Sequence, residues 1–186
     1  FRGEVHVVSE QGLNAYGAVT WGQFFVYQGF NEKTGWMHTS TRLDFMDEFV
    51  EDVSEIAGKL VYRYGDELRD IQVSSVTLKY KEGDDLLDKT FPVYHSHHGP
   101  ITHRLEGRWV ATKINWDPVN ALRQSFVRTK LSNHTQFREM MDIRTNSSNN
   151  TVFADAAGNI AYYHGNFIPR RDVQFDYSKP VDGSDP

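Results

Sequence analysis

One stretch of the chain decides the predicted fold. Residues 144–171 read RTNSSNNTVFADAAGNIAYYHGNFIPRR. A β-branched and aromatic run begins at Val152, and a second such run covers residues 160–163. Between them Gly158 suits a turn with positive φ, so the stretch predicts a β-hairpin.

A polar block that ends in Asn150 and Thr151 leads into the first strand of this hairpin. A carboxamide at such a point can close a turn by bonding its own backbone. It can also point an N–H₂ donor into a cleft. A turn is the default interpretation for a single asparagine, and the residue by itself leaves both alternatives open.

The order of residues from Asn150 onward resembles the penicillin acylase family of N-terminal nucleophile hydrolases. The pattern is Asn-x-x-aromatic-Ala-Asp-x-x-Gly-Asn-Ile-x-Tyr, then Gly, Pro and Arg. It is carried here by Asn150, Phe153, Ala154, Asp155, Gly158, Asn159, Ile160, Tyr162, Gly165, Pro169 and Arg171. The resemblance implies that the Asn150 amide donates to the oxyanion, and that Arg171 helps to orient the nucleophile and this amide.

An earlier segment is similar to the same family. A turn at Asn31 leads to Trp36, as a Gly-[His or aromatic]-Asn turn leads to a Trp in the acylases. The resemblance implies that a backbone N–H just past this Trp, here that of Ser40, is the second oxyanion donor. It also implies that His38 lies where relatives line the acyl site. Met37 stands where the family usually has glycine.

Two carboxylates follow this segment, Asp44 and Asp47. Calcium-binding acylases take two carboxylates and a carbonyl from this part of the chain, and hard oxygen ligands suit Ca²⁺. The alternative is an acidic helix start or loop, because two carboxylates do not fill six or more ligand positions. Acylases without calcium also belong to the family, and no cofactor is expected to be required for the chemistry.

A histidine cluster, with His95, His97 and His103, has residue types that could ligate zinc. The alternative is a turn at residues 98–100 with the other histidines on a polar surface. The resemblance favours the turn, since a His-Gly-Pro or His-Gly-Asn turn occurs here in acylases without a metal. No carboxylate stands nearby in the sequence to orient such ligands, and no His-Glu-x-x-His motif is present.

Length and composition predict one folded domain over residues 1–186. With 20 Lys and Arg against 25 Asp and Glu, the net charge is −5 and no basic stripe indicates nucleic-acid binding. There is no cysteine, which excludes disulfides and thiol catalysis. No apolar run reaches membrane-spanning length and no signal peptide is seen. The resemblance implies a periplasmic or secreted enzyme.

The predicted fold class is α+β, with antiparallel sheet and a helical hairpin at about 117–143. Asp117 and Asn133 are expected helix N-caps. Apolar stripes on both helices are expected to face the core: Val119, Leu122, Phe126 and Val127 on the first helix, and Phe137, Met140, Met141 and Ile143 on the second. The expected strands include residues 5–8, 15–20, 23–27, 61–64, 71–80, 90–96 and 108–114.

A phase change in the apolar pattern at Ser74-Ser75 suggests a β-bulge or a wet stretch within one of these strands. The family fold is a sandwich of two antiparallel sheets flanked by helices. We therefore expect part of an N-terminal nucleophile hydrolase αββα sandwich, in which exposed strand edges suggest a homodimer.

The resemblance predicts cleavage of a linear carbon–nitrogen amide bond in a small acyl amide. An N-terminal Ser would attack the carbonyl, with its own α-amino group as the base. The chain begins at Phe1, and no nearby serine has the family's N-terminal context. We therefore expect an inner fragment of an acylase β-chain, inactive alone and completed by the α-chain and the rest of the β-chain.

Two other functions are compatible with these residues. The first is a non-catalytic ligand-binding or structural module on the same scaffold. The second is a metal-dependent hydrolase that uses His95, His97 and His103. A Ser at an autocleavage junction upstream would favour the amide hydrolase, and metal analysis of the purified chain would test the metal enzyme.

Overall fold

The computed structural model describes residues 2–115, 117–146, 148–165 and 167–186. Its elements, numbered in chain order, are β1 (Arg2–Ser9), β2 (Leu13–Thr20), β3 (Gln28–Asn31), β4 (Thr34–Ser40), β5 (Asp47–Glu51), β6 (Val53–Ile56), β7 (Lys59–Tyr64), β8 (Glu67–Asp70), β9 (Gln72–Glu82), β10 (Asp85–His95), β11 (Ile101–Leu105), β12 (Arg108–Lys113), α1 (Pro118–Arg128), α2 (His134–Met141), β13 (Asn149–Asp155), β14 (Ile160–Tyr163) and β15 (Val181–Asp182). Most strand pairs are antiparallel, while β15 runs parallel to β5. The predicted α+β class is confirmed.

The chain divides into two compact units. The first unit contains residues 1–45 and 115–169, and the second contains residues 46–114 and 170–186. The first unit holds both helices and the predicted hairpin. The prediction that residues 1–186 form a single domain stays a prediction.

A six-stranded antiparallel sheet forms the first unit, in the order β1-β2-β3-β4-β13-β14. The hairpin of β13 and β14 is confirmed, with Gly158 at φ +89° in its turn. The Asp155 carboxylate accepts the backbone N–H groups of Ala157 and Asn159, which closes the turn. On its other edge β13 pairs with β4 along seven residues, a pairing that sets the position of the candidate site.

The core of the first unit lies between this sheet and the helices. Phe153 on β13 is fully buried against Phe137 on α2, with ring centroids 4.3 Å apart. Met140 and Met141 belong to the same cluster, so the predicted buried stripe of α2 is confirmed. Asn133 caps this helix by accepting the backbone N–H of residue 136.

The first helix starts as predicted, because the Asp117 side chain accepts a backbone N–H of the first turn. Its expected apolar face is confirmed only in part, since Val127 packs against the core cluster and Phe126 is half-buried. Val119 and Leu122 are 75% and 47% exposed, and the buried residues are Gln124 and Arg128. The Gln124 amide accepts a backbone N–H from the segment that leads to β13, so tertiary hydrogen bonding decides which side of α1 is covered.

The strand expected at residues 23–27 is wrong. The backbone there turns instead, with the Gln23 N–H donating to the Thr20 carbonyl, and β3 begins only at residue 28. Phe25 and Val26 are nevertheless buried. The apolar run therefore reflects burial of a loop rather than strand pairing.

The second unit contains three sheets. Their strand orders are β11-β12-β5-β15, β6-β7-β8 and β9-β10. Pairing of β9 with β10 continues without interruption through Ser74 and Ser75, so the bulge alternative is wrong, whereas the exposure of every residue of β9 fits the alternative of a solvated stretch. The register shift lies between Ile101 and His103 on β11.

Candidate active site

Asn150 lies near the start of β13, directly opposite Thr39 on β4. Side chains alternate along a strand, and Thr151 and Phe153 occupy the buried core face of β13. Asn150 therefore points to the other face, away from the helices. It is buried even so, at 8% exposure.

The Asn150 amide has one short hydrogen bond and two long ones. Its Oδ1 lies 2.8 Å from Nδ1 of His164. Its Nδ2 lies 3.3 Å from Thr39 Oγ1 and 3.4 Å from the Ser40 carbonyl oxygen. The structure thus brings the predicted donors Asn150 and Ser40 together at one point of the β4–β13 pair.

His38 projects from β4 to the opposite face from Asn150. Its Nδ1 lies 3.0 Å from the Thr151 hydroxyl, and its ring centroid is 4.9 Å from that of Tyr27. Burial, and secondly the charge of Arg128, lower the pKa of His38 to about 3. The imidazole is therefore neutral near pH 7, and it does not share a face of the sheet with Asn150.

Arg128 is a buried cation of the first unit. Its Nη2 donates to the Tyr27 carbonyl oxygen at 3.4 Å, and burial lowers its pKa to about 10. Its Nε has no hydrogen-bond partner among the described residues. Sequence reasoning missed this group, since an arginine on a helix is ordinarily a solvated residue.

Arg171 belongs to the second unit, where it pairs with Asp47. Nε of Arg171 lies 2.7 Å from Oδ1 of a nearly buried Asp47. The guanidinium also lies over the ring of Tyr177, at 5.4 Å from its centroid. The sequence suggested separate roles for the arginine and the carboxylate, whereas the structure makes them one ion pair.

This ion pair does not suit calcium at Asp47. A guanidinium already contacts the carboxylate, and a second cation beside it would be repelled. Asp44 is exposed in a loop of the first unit, whereas Asp47 belongs to the second unit. Across residues 2–115, 117–146, 148–165 and 167–186, no three His, Asp or Glu side chains gather to hold a metal ion. The calcium site stays a prediction, and the present contacts of Asp47 do not suit a bound Ca²⁺.

A buried polar cluster of the second unit was not predicted. Oε1 of Glu51 lies 3.0 Å from Nδ1 of His98 and accepts the Ser96 hydroxyl. The His98 ring stacks on Phe49 at 3.9 Å. The turn expected at residues 98–100 lies slightly earlier, at residues 96–99, where the Ser96 N–H donates to the Gly99 carbonyl and Pro100 already pairs with His95. A carboxylate does orient this histidine, but it lies 47 residues away, so no local signal reveals it.

The remaining histidines of the cluster have other contacts. His97 Nδ1 lies 3.0 Å from the Tyr62 hydroxyl, and burial lowers the pKa of His97 to about 4. His103 lies 3.8 Å from the Glu48 carboxylate.

The helices α1 and α2 have 11 and 8 residues, and neither described helix is long and apolar enough to cross a membrane.

The family model described as penicillin amidase matches residues 2–186. The chain belongs to the penicillin amidase family. A thermostable penicillin G acylase from Alcaligenes faecalis, solved in an orthorhombic form, is similar to it with a TM-score of 0.82 and 21% sequence identity. The match covers 98% of this chain and 33% of that chain, so the chain spans about a third of the acylase chain. A search of the curated proteins found no match.

Membership of the penicillin amidase family confirms the resemblance inferred from the Asn150 pattern. The structural match shows that the fold is shared with an acylase. The roles assigned to Asn150, Ser40, Arg171 and His38 stay predictions.

Proposed function

We propose that this chain is the part of an amide hydrolase that stabilises the oxyanion. Asn150 Nδ2 and the Ser40 backbone N–H would be the two donors. The substrate would be a small acyl amide with a linear carbon–nitrogen bond. The nucleophile would be the N-terminal Ser of the mature enzyme, outside the 186 residues. Membership of the penicillin amidase family supports this reaction class.

The main observation behind the proposal is that the Asn150 side chain contacts the backbone of the segment around Ser40. Asn150 Nδ2 approaches the Ser40 carbonyl, and the Thr41 N–H donates to the Ser148 carbonyl at 3.0 Å. Hydrogen-bonded and non-hydrogen-bonded pairs alternate along antiparallel strands. The pair of Ser40 and Asn149 is then non-hydrogen-bonded, so the Ser40 N–H points away from β13 and is not used by its ladder.

The chemistry needs such donors at a fixed point. The serine hydroxyl would attack the amide carbonyl carbon and give its proton to the α-amino group, whose ordinary pKa is roughly 7.7–8.0. Negative charge then develops on the carbonyl oxygen, where preorganised N–H donors stabilise it. The α-ammonium group then gives this proton to the amide nitrogen, and collapse expels the neutral amine and leaves an acyl ester, which water hydrolyses to regenerate the serine.

Further parts of the proposal come from the family alone. The α-chain and the rest of the β-chain would complete the enzyme, and Arg171 would help to orient the nucleophile. The role in lining the acyl site that the family implies for His38 would require the acyl group to reach the core face of β4, opposite to Asn150. The enzyme would be periplasmic or secreted, which fractionation of expressing cells would test. No step of the proposed reaction uses a metal ion.

Replacement of the carboxamide donor in the full-length enzyme tests the proposal. We expect Asn150→Ala to lower kcat by roughly 100- to 1000-fold, because one preorganised oxyanion donor is lost. Hydrolysis of a panel of chromogenic acyl anilides measures kcat and KM for each variant. KM should change little, since the donor acts mainly on charge that develops in the transition state.

Asn14→Ala is the matched control. Asn14 is also an asparagine on this sheet whose amide oxygen is bonded by a histidine, His6, but it lies on β2. Its loss should leave kcat near the wild-type value. Amide turnover by Asn150→Ala at the wild-type rate would contradict the donor assignment. A wild-type enzyme that hydrolyses no acyl amide would favour the non-catalytic module.

A further inference from the structure

The Asn150 amide has a close neighbour, His164, that has no role in the reaction proposed above. Rotation about the last torsion of an Asn side chain has broad, roughly two-fold minima, so the amide plane is not fixed by rotamer preference. Its two contacts through Nδ2 are long, at 3.3 and 3.4 Å. The contact with His164, at 2.8 Å, is the short one.

The donors and acceptors in this contact can be assigned. The Ser40 carbonyl oxygen only accepts hydrogen bonds, so the group of Asn150 that faces it must be the N–H₂. The amide oxygen of Asn150 therefore faces His164, and His164 Nδ1 must carry the hydrogen. A flipped amide would set its oxygen against the Ser40 carbonyl oxygen, where neither atom can donate a hydrogen bond.

Strand register explains why His164 reaches this point. Thr151 pairs with Tyr163 across β13 and β14, so the next step of the register brings His164 opposite Asn150. Directly opposite residues share a face, with Cβ atoms roughly 4.5–5.5 Å apart. The Tyr162 ring lies 6.1 Å from the His164 ring at an angle of 21°, which supports its orientation from the same face.

We propose that His164 is a positioning residue for the oxyanion donor. Its Nδ1–H holds the Asn150 oxygen, and this turns the N–H₂ of Asn150 toward the Ser40 segment, where the oxyanion would form. His164 acts through Asn150 and touches no reacting atom. The inference rests on the proposed function, because it assigns a partner to the donor in that reaction.

Kinetics of three replacements in the full-length enzyme distinguish positioning from a structural role. We expect His164→Leu to lower kcat about 10- to 100-fold with little change in KM, because the donor is present but poorly oriented. His164→Asn keeps an N–H donor near the former Nδ1 and should restore kcat to within about threefold of wild type. His164→Gln places its amide farther out and should not.

Stability provides a separate readout. His164 is exposed, so all three variants should melt within about 2 °C of the wild type. His6→Leu is the matched control, since His6 also makes a 2.8 Å contact with an Asn amide oxygen but on the first two strands of the sheet. This control should keep the wild-type kcat. A kcat loss that follows a fall in melting temperature would overturn the inference.

A double variant decides whether His164 acts through Asn150. In an Asn150→Ala background, His164→Leu should cause no further loss of kcat, since the oriented amide is already gone. If the fold-losses of kcat for the two single replacements multiply in the double variant, the inference is overturned. A wild-type kcat for His164→Leu would also overturn it, even with the proposed function intact. Absence of acyl amide hydrolysis by the wild-type enzyme would instead overturn the proposed function, and this inference with it.

Discussion

We expect the burial of His38 to make the free energy of unfolding depend on pH. The side chain is 6% exposed, on the core face of β4. Burial, followed by the charge of Arg128, lowers its pKa in the folded protein to about 3. In the unfolded chain the imidazole is hydrated and has an ordinary pKa of roughly 6.5. The two states therefore bind different numbers of protons across the acid range.

The sign of the effect follows from this difference. Between roughly pH 6.5 and 3 the unfolded chain binds a proton at His38 that the folded protein does not, so acidification favours unfolding. The contribution of neutral His38 is fully present above pH 6.5 and is lost as the pH falls. At pH 5, about 1.5 pH units below the unfolded pKa, the loss is about 2 kcal/mol.

Urea denaturation of the full-length protein at pH 7 and pH 5 measures this loss. We expect the wild type to lose about 2 kcal/mol more between these pH values than His38→Gln, which cannot take up this proton. His6→Gln replaces an exposed histidine of the same sheet and should behave as the wild type does. Equal pH dependence in the wild type and His38→Gln would show that His38 does not take up a proton on unfolding.

Two further predictions concern stability, one for each unit. Gly17→Ala should destabilise the first unit by about 3 kcal/mol in urea denaturation, because a Cβ there would lie 2.2 Å from the Gln28 carbonyl oxygen; an unchanged midpoint would show that the β2–β3 pair can spread. Arg171→Met should cost about 3 kcal/mol, since it leaves the nearly buried Asp47 carboxylate unpaired. Arg170→Met, at the exposed neighbour, should cost less than about 0.5 kcal/mol, and equal losses would contradict the ion-pair argument.

Helix starts and the hairpin could be predicted because their signals are local. Asp117 and Asn133 each cap a helix through a backbone N–H three residues on. The turn at Gly158 needs only a few neighbouring residues to form. The buried side of α1 could be predicted only in part, since an apolar stripe does not reveal what lies opposite. Arg128 is buried there while Val119 remains exposed.

In the candidate site, too, local features could be predicted from the sequence and contacts between distant residues could not. The Asn150 pattern was visible because its residues follow one another within a single hairpin. Asn150 meets Ser40 across 110 positions of sequence, and Arg171 meets Asp47 across 124. Glu51 meets His98 across 47. No spacing rule connects residues at such separations, so sequence alone suggested calcium for a carboxylate that has an arginine partner.

The family, the α+β class and the strand that carries Asn150 could be inferred from the amino-acid sequence, because periodicity, caps and turns act over a few residues. Tertiary structure alone decided that His38 and Asn150 face opposite sides of the sheet. It also placed His164 against the Asn150 amide, since register across β13 and β14 sets that contact. Orientation of a side chain depends on the groups that surround it, and these come from distant parts of the chain.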